Sequence, residues 1–240
     1  MGGEERWYSP RFYQELNLTR QSAREILPIV LDLLKPTSIV DVGCGAGHWL
    51  ATAVELGIGD ILGIEGAWVL KTELAIPQDR LLLHDLSQPL SLARRFDLAL
   101  CLEVGEHLRP TQARGFVESL CRAADNVLFS AAIPGQGGRH HVNEQWPSYW
   151  ALVFQEFQYD CYDVVRPQLW NHPRVLWYYA QNCLLFARRG PAGHLGVPTE
   201  PLSLVHPTLW SAQLNKMNSV GKLLERLPKA MLRRVRGKKT

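Results

Sequence analysis

The chain has 240 residues, of which 46% are hydrophobic and 20% charged, so its composition suits one globular domain with a large core and modest appendages. The formal net charge of +3 is too small to indicate a nucleic-acid-binding protein, and the N-terminus lacks the apolar segment of a signal peptide. No apolar run is long enough to cross a bilayer. The five cysteines are scattered and form no C-x-x-C pair. This distribution is typical of reduced, mostly buried thiols in a cytoplasmic protein rather than of a disulfide framework or a zinc site.

Strands and helices alternate along the first half of the chain. The strands are short apolar runs, and the fourth is nearly continuous, as in a strand buried on both faces. Five alternations predict a parallel sheet with helices on both faces and right-handed crossovers. The expected elements are a helix at 11–34, a strand at 38–42, a helix at 47–56, a strand at 60–65, a weaker helix at 67–75, strands at 81–84 and 96–103, a helix at 111–124 and a strand at 126–130.

The second half of the chain departs from this alternation. An aromatic helix is expected at 146–157, and residues 159–166 and 177–188 are both predicted as strands that form an antiparallel pair. Beyond Gly190 the pattern fades into a loop, and residues 212–236 are predicted as a basic helical stretch broken by a proline. The predicted divisions of the chain are an N-terminal helical segment (1–37), a core (38–189) and a loop with a basic helical tail (190–240).

The first predicted strand runs into a loop of alternating glycines, Gly43, Gly45 and Gly47, and a helix follows directly. Glycine lets the backbone turn sharply and lets a ligand lie against bare main chain. The N-terminus of the following helix offers free N–H groups to that ligand. Strand, glycine loop and helix in this order therefore indicate a site for a nucleotide-like ligand, at the carboxyl ends of the strands.

The segment Val40-Asp41-Val42-Gly43-Cys44-Gly45-Ala46-Gly47 resembles the first motif of class I methyltransferases, which bind S-adenosylmethionine. The resemblance extends from about residue 38 to residue 188. It implies an α/β, Rossmann-like fold with a mostly parallel seven-stranded sheet, helices on both faces and an antiparallel last strand. It also implies that the three glycines of the loop contact the cofactor.

In this family the residues that follow the second and third strands also contact the cofactor. The resemblance implies that Glu65 accepts hydrogen bonds from both ribose hydroxyls. It implies that Asp85 accepts a hydrogen bond from the exocyclic amine of adenine and that Leu86 packs on the ring. Asp41, at the end of the first strand, can orient the glycine loop or reach the ammonium group of the methionine part. Asp97, at the entry to the fourth strand, is expected to be structural.

The end of the fourth strand carries three side chains of the metal-ligand type within five residues, Glu103, Glu106 and His107. They can converge if a turn begins there. Two oxygens and one nitrogen suit magnesium, manganese or zinc. The loop after the fifth strand adds His140 and His141 on the same face of the sheet, so either of these can complete the site.

This E-x-x-E-H pattern with a later histidine is similar to that of the ubiquinone-pathway O-methyltransferases and the HEN-type small-RNA 2′-O-methyltransferases. In those families two Glu and two His hold a divalent metal over vicinal oxygens. The resemblance implies a metal site made of Glu103, Glu106, His107 and His141. Many related methyltransferases carry the acid and the histidine without a metal, and the acid then helps to bind the cofactor, which gives Glu103 a second candidate role.

A reaction at oxygen also needs a base, because an alcohol must lose its proton as it attacks the methyl group. His107 and His141, with His140 as the alternative, are the candidate catalytic residues. We therefore predict an S-adenosylmethionine-dependent methyltransferase that O-methylates a hydroxylated small molecule or glycan. A divalent metal is a candidate second cofactor. The alternatives are a metal-independent N- or C-methyltransferase and a non-catalytic cofactor-binding partner subunit.

The charge of the chain is concentrated at its C-terminus. Residues 222–240 hold eight Lys or Arg and one Glu, so this tail carries +7 and the rest of the chain −4. Its apolar residues recur at helical spacing, so it is expected either to dock on the domain or to lie on an anionic membrane surface. A nucleic-acid substrate is not favoured, because the basic residues lie in the tail and not around the predicted site. The expected location is the cytoplasm, with peripheral membrane contact as the alternative.

Overall fold

The structure is a computed structural model that describes residues 10–190 and 195–218. It divides into two compact units, Met1–Leu204 and Val205–Thr240. The described part of the second unit consists mainly of one helix, α7, at Pro207–Met217. The basic end of the tail and most of the helical stretch predicted at 212–236 lie outside the described residues.

The first unit is built on a seven-stranded sheet with the strand order β3-β2-β1-β4-β5-β7-β6. Neighbouring strands from β3 to β5 are parallel, and β7 runs antiparallel to both β5 and β6. The predicted mostly parallel, seven-stranded sheet with an antiparallel last strand is therefore confirmed. The strands are β1 Ser38–Val42, β2 Asp60–Glu65, β3 Leu81–Leu83, β4 Leu98–Leu102, β5 Asn126–Ser130, β6 Tyr159–Tyr162 and β7 Leu184–Arg188.

Helices cover both faces of this sheet because its strands alternate buried side chains between two cores. In β1, Val40 belongs to one core and Ile39 to the other. The first core takes its apolar side chains from α3 and α4, and the second takes them from α1 and α2. The helices are α1 Pro10–Leu34, α2 His48–Glu55, α3 Pro110–Ala123, α4 Pro147–Glu156, α5 Arg166–Leu169 and α6 Trp177–Asn182.

The prediction of one continuous strand at 177–188 was wrong. The chain forms helix α6 at Trp177–Asn182 and only then enters β7. Aromatic residues favour strands locally, but Tyr179 and the three residues after it are buried in a helical turn, so tertiary packing overrides that preference.

Two other predicted elements are shorter than expected. The strand predicted at 159–166 ends at Tyr162, and Arg166 already begins helix α5. Pro167 has no N–H for a strand ladder but is well suited to the first turn of a helix, which explains the change. The weaker helix predicted at 67–75 is a single 3₁₀ helix at Ala67–Lys71.

The thiols agree with the sequence prediction, since all five cysteines are free and buried. Among the residues that the structure describes, no helix combines the length and the apolar character needed to cross a membrane.

Candidate functional site

The glycine loop leaves β1 and passes the end of β2, where the Gly43 N–H donates to the Ile64 carbonyl at 2.8 Å. Gly43 is needed for packing, because a Cβ built there would lie 2.4 Å from a methyl carbon of Val104. Gly45 has a left-handed backbone (φ +52°), and among the described residues, its chain neighbours aside, nothing lies within 4 Å of a Cβ built there. The space in front of Gly45 is therefore open to a ligand that lies against the main chain.

Glu65 closes the other side of this space. Its carboxylate is almost fully buried and accepts hydrogen bonds from the N–H groups of Gly45 at 2.9 Å and Gly66 at 2.7 Å. Burial raises the pKa of Glu65, and these two bonds oppose the shift. Trp68, which the sequence analysis missed, packs against Gly66, since a Cβ built on that glycine would lie 2.8 Å from the indole. The indole is 57% exposed beside the Glu65 carboxylate.

The other residues predicted to bind the cofactor surround the same edge of the sheet. Asp85 follows β3 and is exposed, and its carboxylate accepts a hydrogen bond from the Ser87 N–H at 2.9 Å, which lowers its pKa. Leu86 is half-buried against the core. Asp41 lies inside β1 and is 2% exposed, and burial, followed by the charge of Glu65, raises its pKa well above the usual value.

The predicted metal ligands only partly converge. Glu106, His107 and His141 each offer a ligand atom, and these atoms all lie within 4.8 Å of one another. Glu103 is not a member of this group. We refer to Glu106, His107 and His141 as the Glu-His-His cluster.

Glu106 is the unusual member of the Glu-His-His cluster. Its side chain is fully buried, and neither of its oxygens accepts a hydrogen bond of normal geometry from the described residues. Burial, and next the charge of Glu103, raise the pKa of Glu106 to about 9. An ionised carboxylate in such a place is costly unless a cation or a proton compensates its charge.

The two imidazoles lie edge to face with their ring centres 5.0 Å apart. Burial, and next the neighbouring His141, lower the pKa of His107 and favour its neutral form. Nε2 of His141 lies 4.0 Å from a carboxylate oxygen of Glu106. A neutral imidazole offers a lone pair, so both rings suit either a metal ligand or a base.

Backbone contacts between two loops hold the cluster together. A 3₁₀ turn at Gly105–His107 places Glu106, whose carbonyl accepts hydrogen bonds from the N–H groups of Val142 at 2.9 Å and Asn143 at 3.0 Å. A nitrogen of His107 lies 3.4 Å from the carbonyl of His140. The side chain of His140 is exposed and outside the cluster, so His141 is the member of the histidine pair that joins it.

Glu144 orients His141 and was missed by the sequence analysis. One of its oxygens lies 3.0 Å from Nδ1 of His141, and its carboxylate accepts hydrogen bonds from the N–H groups of Gly135 at 2.8 Å and Gly137 at 2.7 Å. Gly138 lets the ring approach, because a Cβ there would lie 2.1 Å from Nε2 of His141. A partner on Nδ1 leaves Nε2 to face the cluster, as is usual for metal-binding or basic histidines.

Glu103 lies at the end of β4 with a left-handed backbone (φ +57°). Its carboxylate oxygens accept hydrogen bonds from the amide of Gln136 at 2.8 Å and the amide of Asn182 at 3.0 Å. Burial raises the pKa of Glu103, and the hydrogen bonds from Asn182, Ser130 and Gln136 oppose that shift. The sequence does not indicate Asn182 or Gln136, because residues 177–188 favour a strand and the loop after β5 is distinguished by its histidines.

The sheet order, the glycine loop and the acid at the end of β2 define a class I S-adenosylmethionine-dependent methyltransferase. The family described as "Methyltransferase domain" matches residues 13–163, more than half of the chain, and the chain belongs to that family. The protein is therefore an enzyme that uses S-adenosylmethionine. No curated protein matches the chain in a sequence comparison.

Solved structures with the same fold are distant in sequence. The methyltransferase domain of bacterial CtHen1-C is 19% identical, with a TM-score of 0.52 over 72% of this chain and 99% of that one. The sugar N-methyltransferase KedS8 from Streptoalloteichus sp. ATCC 53650 is 14% identical, with a TM-score of 0.54 over 70% and 87%. Magnesium protoporphyrin IX methyltransferase (ChlM) from Synechocystis PCC 6803, solved with bound SAH, is 17% identical, with a TM-score of 0.50 over 77% and 92%.

Proposed function

We propose that this methyltransferase acts on a hydroxyl oxygen of a small molecule or glycan, and that the Glu-His-His cluster holds a divalent cation beside the acceptor. The observation that supports the proposal most is the fully buried carboxylate of Glu106, whose oxygens accept no hydrogen bond of normal geometry from the described residues. Buried charges in proteins are paired or coordinate metals. The imidazoles of His107 and His141 each offer a ligand atom within 4.8 Å of a Glu106 oxygen.

The donor set fits such a cation. One carboxylate and two imidazoles suit zinc or manganese better than magnesium, which prefers oxygen ligands, and three protein ligands leave positions open for oxygens of an acceptor. A bound divalent cation would supply Lewis acidity, which lowers the pKa of a coordinated hydroxyl. Glu103 is a candidate for a fourth ligand only if it leaves its two amide donors, because both of its oxygens accept hydrogen bonds in the structure.

The side chains of the enzyme would perform the remaining tasks. The methyl group of a sulfonium is already electrophilic, so rate enhancement depends mainly on aligning the acceptor oxygen behind it. While both imidazoles hold the cation, neither is free to take the hydroxyl proton; without the cation, His141, oriented by Glu144, is the proposed base and His107 is the alternative. Glu65 and the glycine loop would keep the adenosine part in place while the acceptor approaches.

The metal is tested by titrating manganese or zinc into the full-length protein in a calorimeter. We expect one site in the wild type, about tenfold or greater weakening in Glu106→Gln, and wild-type affinity in the control Glu118→Gln. Glu118 lies on α3 in a surface pair with Arg122, outside the cluster. Equal affinity of Glu106→Gln and wild type would remove the metal from the proposal.

The acceptor is identified by mass spectrometry after incubation with methyl-labelled cofactor and a panel of sugars, phenols and lipids. O-methylation is supported if the label is found on oxygen and if a chelator abolishes turnover that added metal restores. Transfer to nitrogen or carbon at full rate in chelator would instead establish the metal-independent alternative. In that case Glu106 would act as a protonated, neutral carboxyl group, in line with its raised pKa.

We also propose that the enzyme works in the cytoplasm, and that its basic tail is the part that would contact anionic membranes. The five free, buried cysteines support a reducing compartment. Sedimentation of the full-length protein with anionic but not with neutral vesicles is the expected result if the tail binds membranes. Equal sedimentation with both would reject the contact.

A further inference from the structure

A group of three buried or half-buried amides surrounds the carboxylate of Glu103. Gln136 and Asn182 each donate to one of its oxygens. The Gln136 side-chain oxygen in turn accepts hydrogen bonds from Asn182 at 2.9 Å and Gln181 at 3.2 Å, and Gln181 also donates to the Asn182 side-chain oxygen at 2.9 Å. We refer to Gln136, Gln181 and Asn182 as the amide clamp.

The amide clamp fixes the position of Glu103 from two distant parts of the chain. Gln136 lies in the loop after β5, whereas Gln181 and Asn182 end helix α6 and are almost fully buried. The backbone of Glu103 is also fixed, because its N–H donates to Ser130 and its φ of +57° is unfavourable for a residue with a side chain. Such strain persists where the surroundings over-determine a conformation, and it is common at ligand-binding residues.

The strand order indicates which part of the cofactor lies near Glu103. Glu65 ends β2, the glycine loop follows β1, and Glu103 follows β4, so the three lie side by side along one edge of the sheet. A cofactor whose ribose meets Glu65 and whose adenine lies toward β3 must direct its methionine part toward β4. Val104, next to Glu103, already packs against Gly43 of the glycine loop.

The methionine part of the cofactor carries an ammonium group, which needs an anionic or neutral acceptor. The Glu103 carboxylate is partly exposed, and a carboxylate with one amide donor on each oxygen retains free lone pairs. We infer that the amide clamp positions Glu103 to accept a hydrogen bond from the ammonium group of S-adenosylmethionine. Gln136 and Asn182 are positioning residues in this arrangement, and neither the metal nor the acceptor enters it.

The clamp also gives the two acids of the β4 end different surroundings, although the charge of Glu103 still raises the pKa of Glu106. Glu103, held by amides, serves the cofactor, and Glu106 is left to the Glu-His-His cluster. The expected group of four ligands, three from the β4 end and His141 from the loop after β5, is thereby divided into two sites with different tasks.

The test compares two ligands that differ in the methionine part. S-adenosylhomocysteine carries the ammonium group, whereas 5′-methylthioadenosine has the same adenosine and sulfur without it. In Gln136→Leu and Asn182→Leu we expect the Kd for S-adenosylhomocysteine to rise about tenfold or more, as for the loss of a hydrogen bond to a charged group. The Kd for 5′-methylthioadenosine should change by less than about twofold.

The matched control is Gln168→Leu, which removes an exposed amide that donates to the Val164 carbonyl, away from Glu103, and it should bind both ligands as the wild type does. If Asn182→Leu unfolds, Gln136→Leu and Glu103→Gln carry the test, since both positions are partly exposed. Glu103→Gln should show the same selective loss. Equal weakening of both ligands, or no change in either, would overturn the assignment.

Discussion

Replacing Gly45 with alanine tests whether the cofactor occupies the space in front of the glycine loop. Alanine in a left-handed conformation costs roughly 1–2 kcal/mol, and the stiffer unfolded chain returns about 0.4–1 kcal/mol, so the variant should lose roughly 1 kcal/mol of folding stability. Apart from the flanking residues, no atom of the described residues lies within 4 Å of the added Cβ, so no further loss from a clash is expected. The protein should therefore remain folded.

Cofactor binding should weaken in addition to this loss of stability. A methyl group forced into a packed contact costs about 1–3 kcal/mol, which corresponds to a roughly five- to 150-fold rise in Kd. Gly57→Ala is the matched control, because Gly57 also has a left-handed backbone (φ +98°) and open space at its Cβ, but lies at the other end of α2. Chemical denaturation should give similar stability losses in the two variants, and calorimetry with S-adenosylhomocysteine should separate them. Equal affinities in Gly45→Ala and Gly57→Ala would refute the placement of the cofactor.

Three further changes have expected outcomes. Glu65→Gln should weaken S-adenosylhomocysteine binding by about 1–3 kcal/mol, measured by calorimetry, because it removes a charged acceptor from the ribose position. Asp163→Ala should lower the free energy of unfolding by about 3–5 kcal/mol in denaturant titrations, because it leaves the buried guanidinium of Arg166 without its bidentate partner. Hydrogen bonds, chiefly from Thr37, lower the pKa of Asp97. The contribution of ionised Asp97 to folding stability is therefore present above the usual pKa of 3.8 and is lost as the pH falls through the lowered value. Wild type should therefore lose more stability than Asp97→Asn between about pH 6 and about pH 3, and parallel losses in the two proteins would contradict this.

Much of the fold follows from local patterns in the sequence. The apolar runs that form β1, β2, β4 and β5 are short, and segments with helical periodicity or glycines lie between them. This alternation of strands and helices by itself predicts a parallel sheet. The glycine loop and Glu65 are recognisable because each lies directly after a strand. Glu103, Glu106 and His107 are recognisable as candidate site residues for the same reason, because they lie together at the end of one predicted strand.

Only the tertiary structure decided which of these side chains meet. The sequence treats Glu103 and Glu106 as equivalent acids, but Asn182, 79 positions after Glu103, donates to Glu103, while Glu106 is buried beside His141. That partner was invisible to local periodicity, because the residues from 177 onward favour a strand and become a helix only through packing against the core. The choice between His140 and His141 likewise depends on Glu144 and on backbone bonds between two loops. Composition and spacing determine elements and candidate chemistry, whereas the grouping of charges depends on contacts between residues that are far apart in the chain.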